Sequence, residues 1–302
     1  MKRLRYRLEY VLLRAAIGLL NRFPDGPAEA AGAWLGGLGY WPLRIRRAQA
    51  ETNVRRAFPE RDESWVQRVV RDSYRHLGRE TVVMLRLSRL TPERVRERTE
   101  LVDFEKHERT VREGGRGMVV VAGHLGNWEL GAAMAAARGI PMDAIAVRQK
   151  NPFFDRYIVR TRRRLGVEII YRHRASRQAL RALRAGHAVA FAADQNAGRS
   201  GLFVPFFGRP ASTFRGAALM AVRTGAPLLL AVPLRQPDGS YRMRLEDVAV
   251  DREGELDDVV YRLTAAFTAQ LEAAVRAEPG QYLWQHRRWR TRPPEERPAP
   301  PG

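Results

Sequence analysis

Gly117-Met118-Val119-Val120-Val121-Ala122-Gly123-His124-Leu125-Gly126-Asn127-Trp128-Glu129 reads as a strand that runs through a polar turn into a helix. The wholly apolar Met118–Ala122 has the length and β-branched content of a strand covered on both faces. A helix is expected to start just after Asn127. Further short apolar runs at 144–147, 167–170, 188–193 and 228–232 have helical patterns between several of them. That alternation predicts an α/β fold: a central, mostly parallel or mixed sheet flanked by helices. The pattern at 241–245 alternates as a more exposed strand does, and Val259, Leu263, Phe267, Leu271 and Val275 mark a last amphipathic helix. Upstream, a basic helix is expected over 44–58, and Ser64 is the expected cap of a long helix presenting Trp65, Val69, Val70, Tyr74 and Leu77.

The 302 residues suffice for one α/β domain with an N-terminal appendage. The expected division is an amphipathic, membrane-associating helix over 1–22, the α/β domain over 23–293, and a Pro- and Glu-rich disordered tail over 294–302. The N-terminal segment carries Glu9 and Arg14 within its apolar run and lacks a small-residue cleavage site, so neither a signal peptide nor an ordinary spanning helix fits. Tyr6, Tyr10, Leu13, Ile17 and Leu20 recur at helical spacing beside Lys2, Arg3, Arg5 and Arg7, the pattern of a helix lying in a membrane interface or docked on its own domain.

The formal charge of +20, from 53 basic against 33 acidic residues, suits anionic lipid, nucleic acid or an acidic protein and does not choose among them. With no cysteine in the chain, disulfides, thiolate metal sites and a cysteine nucleophile are excluded. A G-x-S-x-G elbow is also missing, which argues against a covalent acyl-enzyme.

His124 follows the buried strand directly, on the rim where α/β sheets collect reactive groups, and Glu129 lies five residues on. Along a continuous helix the two would stand about 140° apart. Gly126 supplies the turn that would let Glu129 hold one imidazole nitrogen while the other takes a proton from a hydroxyl. A histidine at a strand end is also a common structural residue, and a glutamate in a first helical turn a common dipole partner, so the pair alone leaves both readings open. Arg148, after the next strand, would bring a guanidinium to the same rim for a phosphate or an oxyanion, as would backbone amides near Gly126. Asp194-Gln195-Asn196 ends a further strand there.

These segments together resemble the bacterial lipid A biosynthesis acyltransferases. The resemblance is carried by His124-x4-Glu129, by Arg148 with Asn151-Pro152, by 193–196, by Phe206-Phe207-Gly208-Arg209-Pro210-Ala211, and by the run from Gln281 to Pro293, so it covers the chain from about Tyr6 onward. It implies an O-acyltransferase in which His124 is the general base, Glu129 its orienting acid, and Arg148 a residue of the transfer site. Asn127, Asn151, Asp194, Gln195 and Arg209 are the expected substrate-binding positions. It further implies an acyl donor that is acyl-carrier protein or acyl-CoA, a glycolipid acceptor such as a lipid A precursor or a phosphatidylinositol mannoside, and a place on the cytoplasmic face of the inner membrane. Neither metal nor redox cofactor is implied, nor a nucleic-acid partner.

Phe203, Phe206 and Phe207 read either as core or as an acyl groove. Arg287, Arg288 and Arg290 read either as a solvated basic run or as partners for phosphates or an acidic carrier. The other histidines, His76, His107, His173, His187 and His286, show no ligand spacing. Two rival classes remain: a nucleic-acid-binding protein, which leaves the rim cluster unexplained, and a zinc hydrolase, for which the His124–Glu129 spacing departs from H-E-x-x-H.

Overall fold

In a computed structural model, residues 2–103, 105–107, 109 and 117–294 are described. The expected tail beyond Pro294, and the Gly114–Arg116 part of the turn before the first buried run, lie outside them. The apolar run at Met118–Ala122 becomes β2, at the middle of a seven-stranded sheet. The other strands of this sheet are β1 (Thr99–Val102), β3 (Met142–Ala146), β4 (Val167–Tyr171), β5 (Ala188–Ala192), β8 (Leu228–Arg235) and β9 (Tyr241–Asp247), in the order β1-β9-β8-β2-β5-β3-β4. Every pairing is parallel except β8 with β9, so the sheet is mixed but mostly parallel, as the alternation of apolar runs predicts. A separate antiparallel hairpin pairs β6 (Leu202–Phe206) with β7 (Arg209–Thr213).

Alternate β2 residues face opposite layers, which is why the whole run is apolar. Val119 and Val121 join a core with Val189, Leu230, Leu263, Phe267 and the aromatic cluster of Phe58, Phe206, Phe207, Tyr282, Trp284 and Trp289. Met118 and Val120 join a second core with Leu130, Met134, Met142, Leu229 and Met243. Phe206 and Phe207 are therefore core residues, 1% and 5% exposed.

The helices around the sheet include, among the described residues, α1 (Lys2–Leu20), α2 (Asp25–Tyr40), α3 (Arg47–Ala57), α4 (Glu63–Arg86), α5 (Pro92–Glu97), α6 (Trp128–Ala136), α7 (Pro152–Arg164), α8 (Ala175–Arg184), α9 (Gly216–Thr224) and α10 (Leu256–Ala277). The cap of α4 is Asp62 rather than Ser64: its carboxylate accepts from the Trp65 amide, and the Ser64 hydroxyl donates to it. On α4 the buried face includes Val66, Val69, Val70 and Tyr74.

The face of α1 that carries Tyr6, Tyr10 and Ile17 packs on the domain. Tyr10 stacks on Phe153, the Tyr6 carbonyl accepts from Asn151, and Ile17 is buried. The opposite face exposes Leu4, Leu8, Val11 and Leu12, so α1 is apolar on two sides. Among the described residues no helix is long and apolar enough to cross a membrane.

Candidate active site

The segment between β2 and α6 is a turn pinned from several directions. Gly126 has φ +62°, and a Cβ there would lie 1.9 Å from the Pro233 carbonyl oxygen, so only glycine fits. Its amide donates to the Gln281 carbonyl, and the Asn127 amide to the Pro233 carbonyl. Backbone amides expected to meet an oxyanion near Gly126 are thus already engaged. The amide of Leu283 donates to the His124 carbonyl, which ties the turn to the C-terminal segment.

This turn presents His124 beside the end of β5, the neighbour of β2 in the sheet. Asp194 therefore reaches it from 70 residues away in sequence. One carboxylate oxygen accepts from the His124 backbone amide at 2.8 Å, and the other lies 2.7 Å from Nδ1. Asp194 is buried, and burial pushes its carboxyl upward. The charge of His124 and its hydrogen bonds outweigh burial and hold Asp194 at about 2. For His124 burial works against protonation, but the charge and hydrogen bond of Asp194, helped by the charge of Glu129, carry the net shift upward. With Asp194 ionised, Nδ1 carries the proton and Nε2 keeps its lone pair. The Gln195 amide lies 3.1 Å from Nε2, placed to donate to it. The His124 side chain is 14% exposed, and its ring lies 4.5 Å, centroid to centroid, from Trp128.

The expected role of Glu129 changes. Its carboxylate is gripped by both nitrogens of the Arg162 fork, and His124 Nδ1 is held by Asp194. Glu129 sits in the first turn of α6, where its side chain meets the last turn of α7, and it acts on the imidazole through charge alone. Arg162 is a second cation beside the site that the sequence reading missed. Nothing in its own stretch, Thr161-Arg162-Arg163-Arg164, separates it from its neighbours.

Of the other expected positions, Gln195 joins His124 directly, whereas Asn127 and Asn151 are structural caps. The Asn127 side chain accepts from the Leu130 amide and donates to Glu80, at 3% exposure, so it is closed to substrate. Asn151 accepts from the Phe153 and Phe154 amides and donates to the Tyr6 carbonyl and Glu9 of α1. Arg148 reaches outward on the same edge of the sheet, with Asp155 at 3.7 Å and its guanidinium over the Tyr171 ring. Arg209 is exposed at the start of β7, away from the His124 hydrogen bonds. Among the described residues no group of three or more acidic or histidine side chains is placed to hold a metal.

Behind the pair lie the C-terminal aromatics and Arg288, the latter buried among Ser212, Thr213 and Phe206 instead of solvated. His286 accepts from the Asn196 amide through Nε2. On the other side of the turn, His76 Nε2 lies 3.2 Å from the Gly126 carbonyl.

Comparison with known proteins reaches the same family as the sequence motifs. The family model for bacterial lipid A biosynthesis acyltransferases matches residues 2–291. The chain is 31% identical over 267 residues to a lipid A biosynthesis lauroyltransferase of Escherichia coli (strain K12), covering 85% of this chain and 84% of that protein. It is 29% identical over 255 residues to a lipid A biosynthesis palmitoleoyltransferase of the same strain, covering 83% and 81%. To a phosphatidylinositol mannoside acyltransferase of Mycolicibacterium smegmatis (strain ATCC 700084 / mc(2)155) it is 24% identical over 260 residues, covering 84% and 83%. A match over nearly the whole chain makes this protein an acyltransferase that belongs to the bacterial lipid A biosynthesis acyltransferase family.

Proposed function

We propose that this protein transfers a fatty acyl group from a thioester to a hydroxyl of a membrane glycolipid, with His124 as general base and Asp194 as the group that orients it. The observation that carries this reading is the placement of the His124 ring, with Nδ1 2.7 Å from a buried carboxylate and Nε2 turned to the Gln195 side chain. The acceptor hydroxyl takes the place of the Gln195 amide at Nε2 and gives up its proton there as its oxygen attacks the thioester carbonyl. A C–O bond forms, the C–S bond then breaks, and the proton on Nε2 passes to the departing thiolate. His124 returns to its neutral form, and no acyl-enzyme is needed.

Arg162, fixed by Glu129, and Arg148 at the rim are the cations offered to the developing oxyanion and to acceptor phosphates. A small apolar void between α6 and the sheet, lined by Ala122, Trp128, Met142, Ala190 and Met243, lies behind Trp128, whose ring is 4.5 Å from that of His124, and an acyl chain entering there would have to widen it.

The donor reading favours an acidic carrier protein. Between Ile169 and Pro237 the sole acidic residue is Asp194, against ten arginines. Arg174, Arg177, Arg181 and Arg184 follow one another at helical spacing at and along α8, all exposed. Such a stripe steers a soluble polyanion and weakens with salt.

Membrane association is supported by exposed apolar residues. Of fourteen exposed large hydrophobic residues among those described, eleven fall between Leu4 and Ile45. They form the outer stripe of α1 and a second patch of Trp34, Leu35, Trp41, Leu43 and Ile45, with Arg44 and Arg46 beside it.

A lipid A precursor is the favoured acceptor, since the lauroyl- and palmitoleoyltransferases are the relatives of higher identity. The mannoside acyltransferase relative supports a phosphatidylinositol mannoside as the second reading. The test incubates the protein with a labelled acyl-carrier thioester, each acceptor in turn, and mass spectrometry of the extracted lipid. A new acyl ester on the lipid A precursor supports the first reading, and one on the mannoside alone the second. Thioester hydrolysis without acylation of any lipid overturns both.

A further inference from the structure

Glu80 of α4 is a buried carboxylate that the chemistry above does not use. It is 5% exposed, and its two oxygens face different partners. Oε2 accepts from the Asn127 side-chain amide at 2.7 Å and from the Tyr241 hydroxyl at 2.7 Å. Arg235 donates to that same hydroxyl at 2.8 Å, so the hydroxyl proton points at Glu80. Oε1 lies 3.5 Å from Arg235 Nη1 and 3.9 Å from His76 Nδ1. His76, one helical turn earlier, has its Nε2 3.2 Å from the Gly126 carbonyl, and since a carbonyl can only accept, Nε2 donates. Two side chains of α4 thus reach two successive residues of the turn that carries His124. The Asn127 amide has no alternative partner: its Oδ1 is spent on the Leu130 amide, and at 3% exposure the residue is closed to water. On the side of β8 and the C-terminal segment the turn is tied by backbone, through Pro233, Gln281 and Leu283. Toward α4, a small cavity lined by His76, Glu80, His124, Gly126 and Trp128 gives it room to shift.

We infer that Glu80 is a positioning residue for His124: by accepting from Asn127, and with His76 held against the Gly126 carbonyl, it keeps the turn where the imidazole meets Asp194. It acts as a hydrogen-bond acceptor of fixed place, not through its charge. Tyr241 and Arg235, from β9 and β8, fix that place in turn. Glu29 of α2 closes the far end of the same network, where Arg235 and Arg98 donate to it, and holds α2 on the domain. A network that served stability alone would make Glu29 and Glu80 equivalent, and the two roles therefore predict different outcomes. The inference rests on reading His124 as the base, but one of its two readouts does not.

The test uses full-length protein isotope-labelled at the histidine nitrogens, with thermal unfolding as the fold control. The Nδ1 proton of His124, bonded to the Asp194 carboxylate, gives a far-downfield resonance, assigned by its absence from a His124→Asn variant, and reports the contact directly. The kcat and KM for a thioester donor and a lipid acceptor report the chemistry. Glu80→Met keeps the bulk and removes the acceptor, so the resonance is lost and kcat falls about tenfold or more, with KM unchanged within about twofold. Glu80→Gln can set its amide oxygen where Oε2 stands, keeps both short hydrogen bonds, and restores the resonance and most of kcat. Glu29→Gln lowers the unfolding temperature and leaves both readouts as in the wild type. If Glu80→Met does not fold, Asn127→Ser carries the test: serine still caps α6 but is too short to reach Glu80, and both readouts move in the same direction by less. A folded Glu80→Met, or failing that a folded Asn127→Ser, with wild-type resonance and kcat overturns the inference. So does a Glu80→Gln variant as impaired as Glu80→Met, or a Glu29→Gln variant that loses as much kcat as Glu80→Met. A resonance lost as expected, in a protein whose acyl transfer is indifferent to His124→Ala, would leave the positioning role standing and remove the base assignment.

Discussion

At the residue scale, His124 and Asp194 answer each other across two neighbouring strands. A base must be neutral to work, and the Asp194 charge lifts His124 above its ordinary value. The acidic limb of kcat/KM is therefore expected above pH ~6.5, and Asp194→Asn should move it lower while cutting kcat by about 10³-fold or more. A pH–rate profile of both proteins checks this, and an unchanged limb in the variant counts against Asp194. The stability linkage has opposite signs for the two groups. The raised pKa of His124 contributes stability at pH below its unfolded value of about 6.5, and this is lost as pH rises through the folded value. The lowered pKa of Asp194 contributes stability above about pH 3.9, lost as pH falls toward about 2. Glu129 and Arg162 form a second unit. With side chains only 15% and 21% exposed, each is left uncompensated when the other is neutralised. Glu129→Gln and Arg162→Met should each lower activity, and the double variant should do no worse than the poorer single. A double-mutant cycle measures that, and additive losses would show the two act separately.

At the scale of elements, the site depends on how one turn is braced. Gly126→Ala combines a left-handed backbone with a Cβ driven into Pro233, so it should cost at least about 3 kcal/mol in chemical denaturation. A loss under about 1 kcal/mol would mean that the turn can relax. The strands that enclose this turn were legible because Met118–Ala122, Ala188–Ala192 and Leu228–Val232 are unbroken apolar runs. Less legible were β1, only four residues long, and the β6–β7 hairpin, whose Pro205 and Pro210 interrupt any alternating pattern. His124 was legible from its place after β2. The partner of its Nδ1 was not, because β5 inserts between β2 and β3, and only that long-range order brings Asp194 closer than Glu129. The same limit hid the capping roles of Asn127 and Asn151, which look like substrate ligands until the Glu80 and Tyr6 contacts are seen.

At the scale of the whole molecule, a strongly basic chain exposes its large apolar residues, among those described, mostly within its first 45 positions. α2 runs antiparallel along α4, with Gly36 against Tyr74 and Gly78, which carries the 41–45 patch to the middle of α4, where the Tyr74 hydroxyl donates to the Ile45 carbonyl two residues before His76, whose Nε2 meets the Gly126 carbonyl. The outer stripe of α1 and this patch should therefore meet a bilayer together. Sedimentation with vesicles containing anionic phospholipid is expected to recover the wild type, and a Trp41→Glu, Leu43→Glu variant about tenfold less well. Equal recovery of the two proteins would take the second patch out of the interface. The most direct check on the account as a whole is the rate of acyl-ester formation, from thioester to lipid hydroxyl, by wild-type protein and by folded His124→Ala and Asp194→Asn variants. The His124–Asp194 account predicts a loss of about 10³-fold or more in each, and acyl transfer near the wild-type rate by either variant would contradict it.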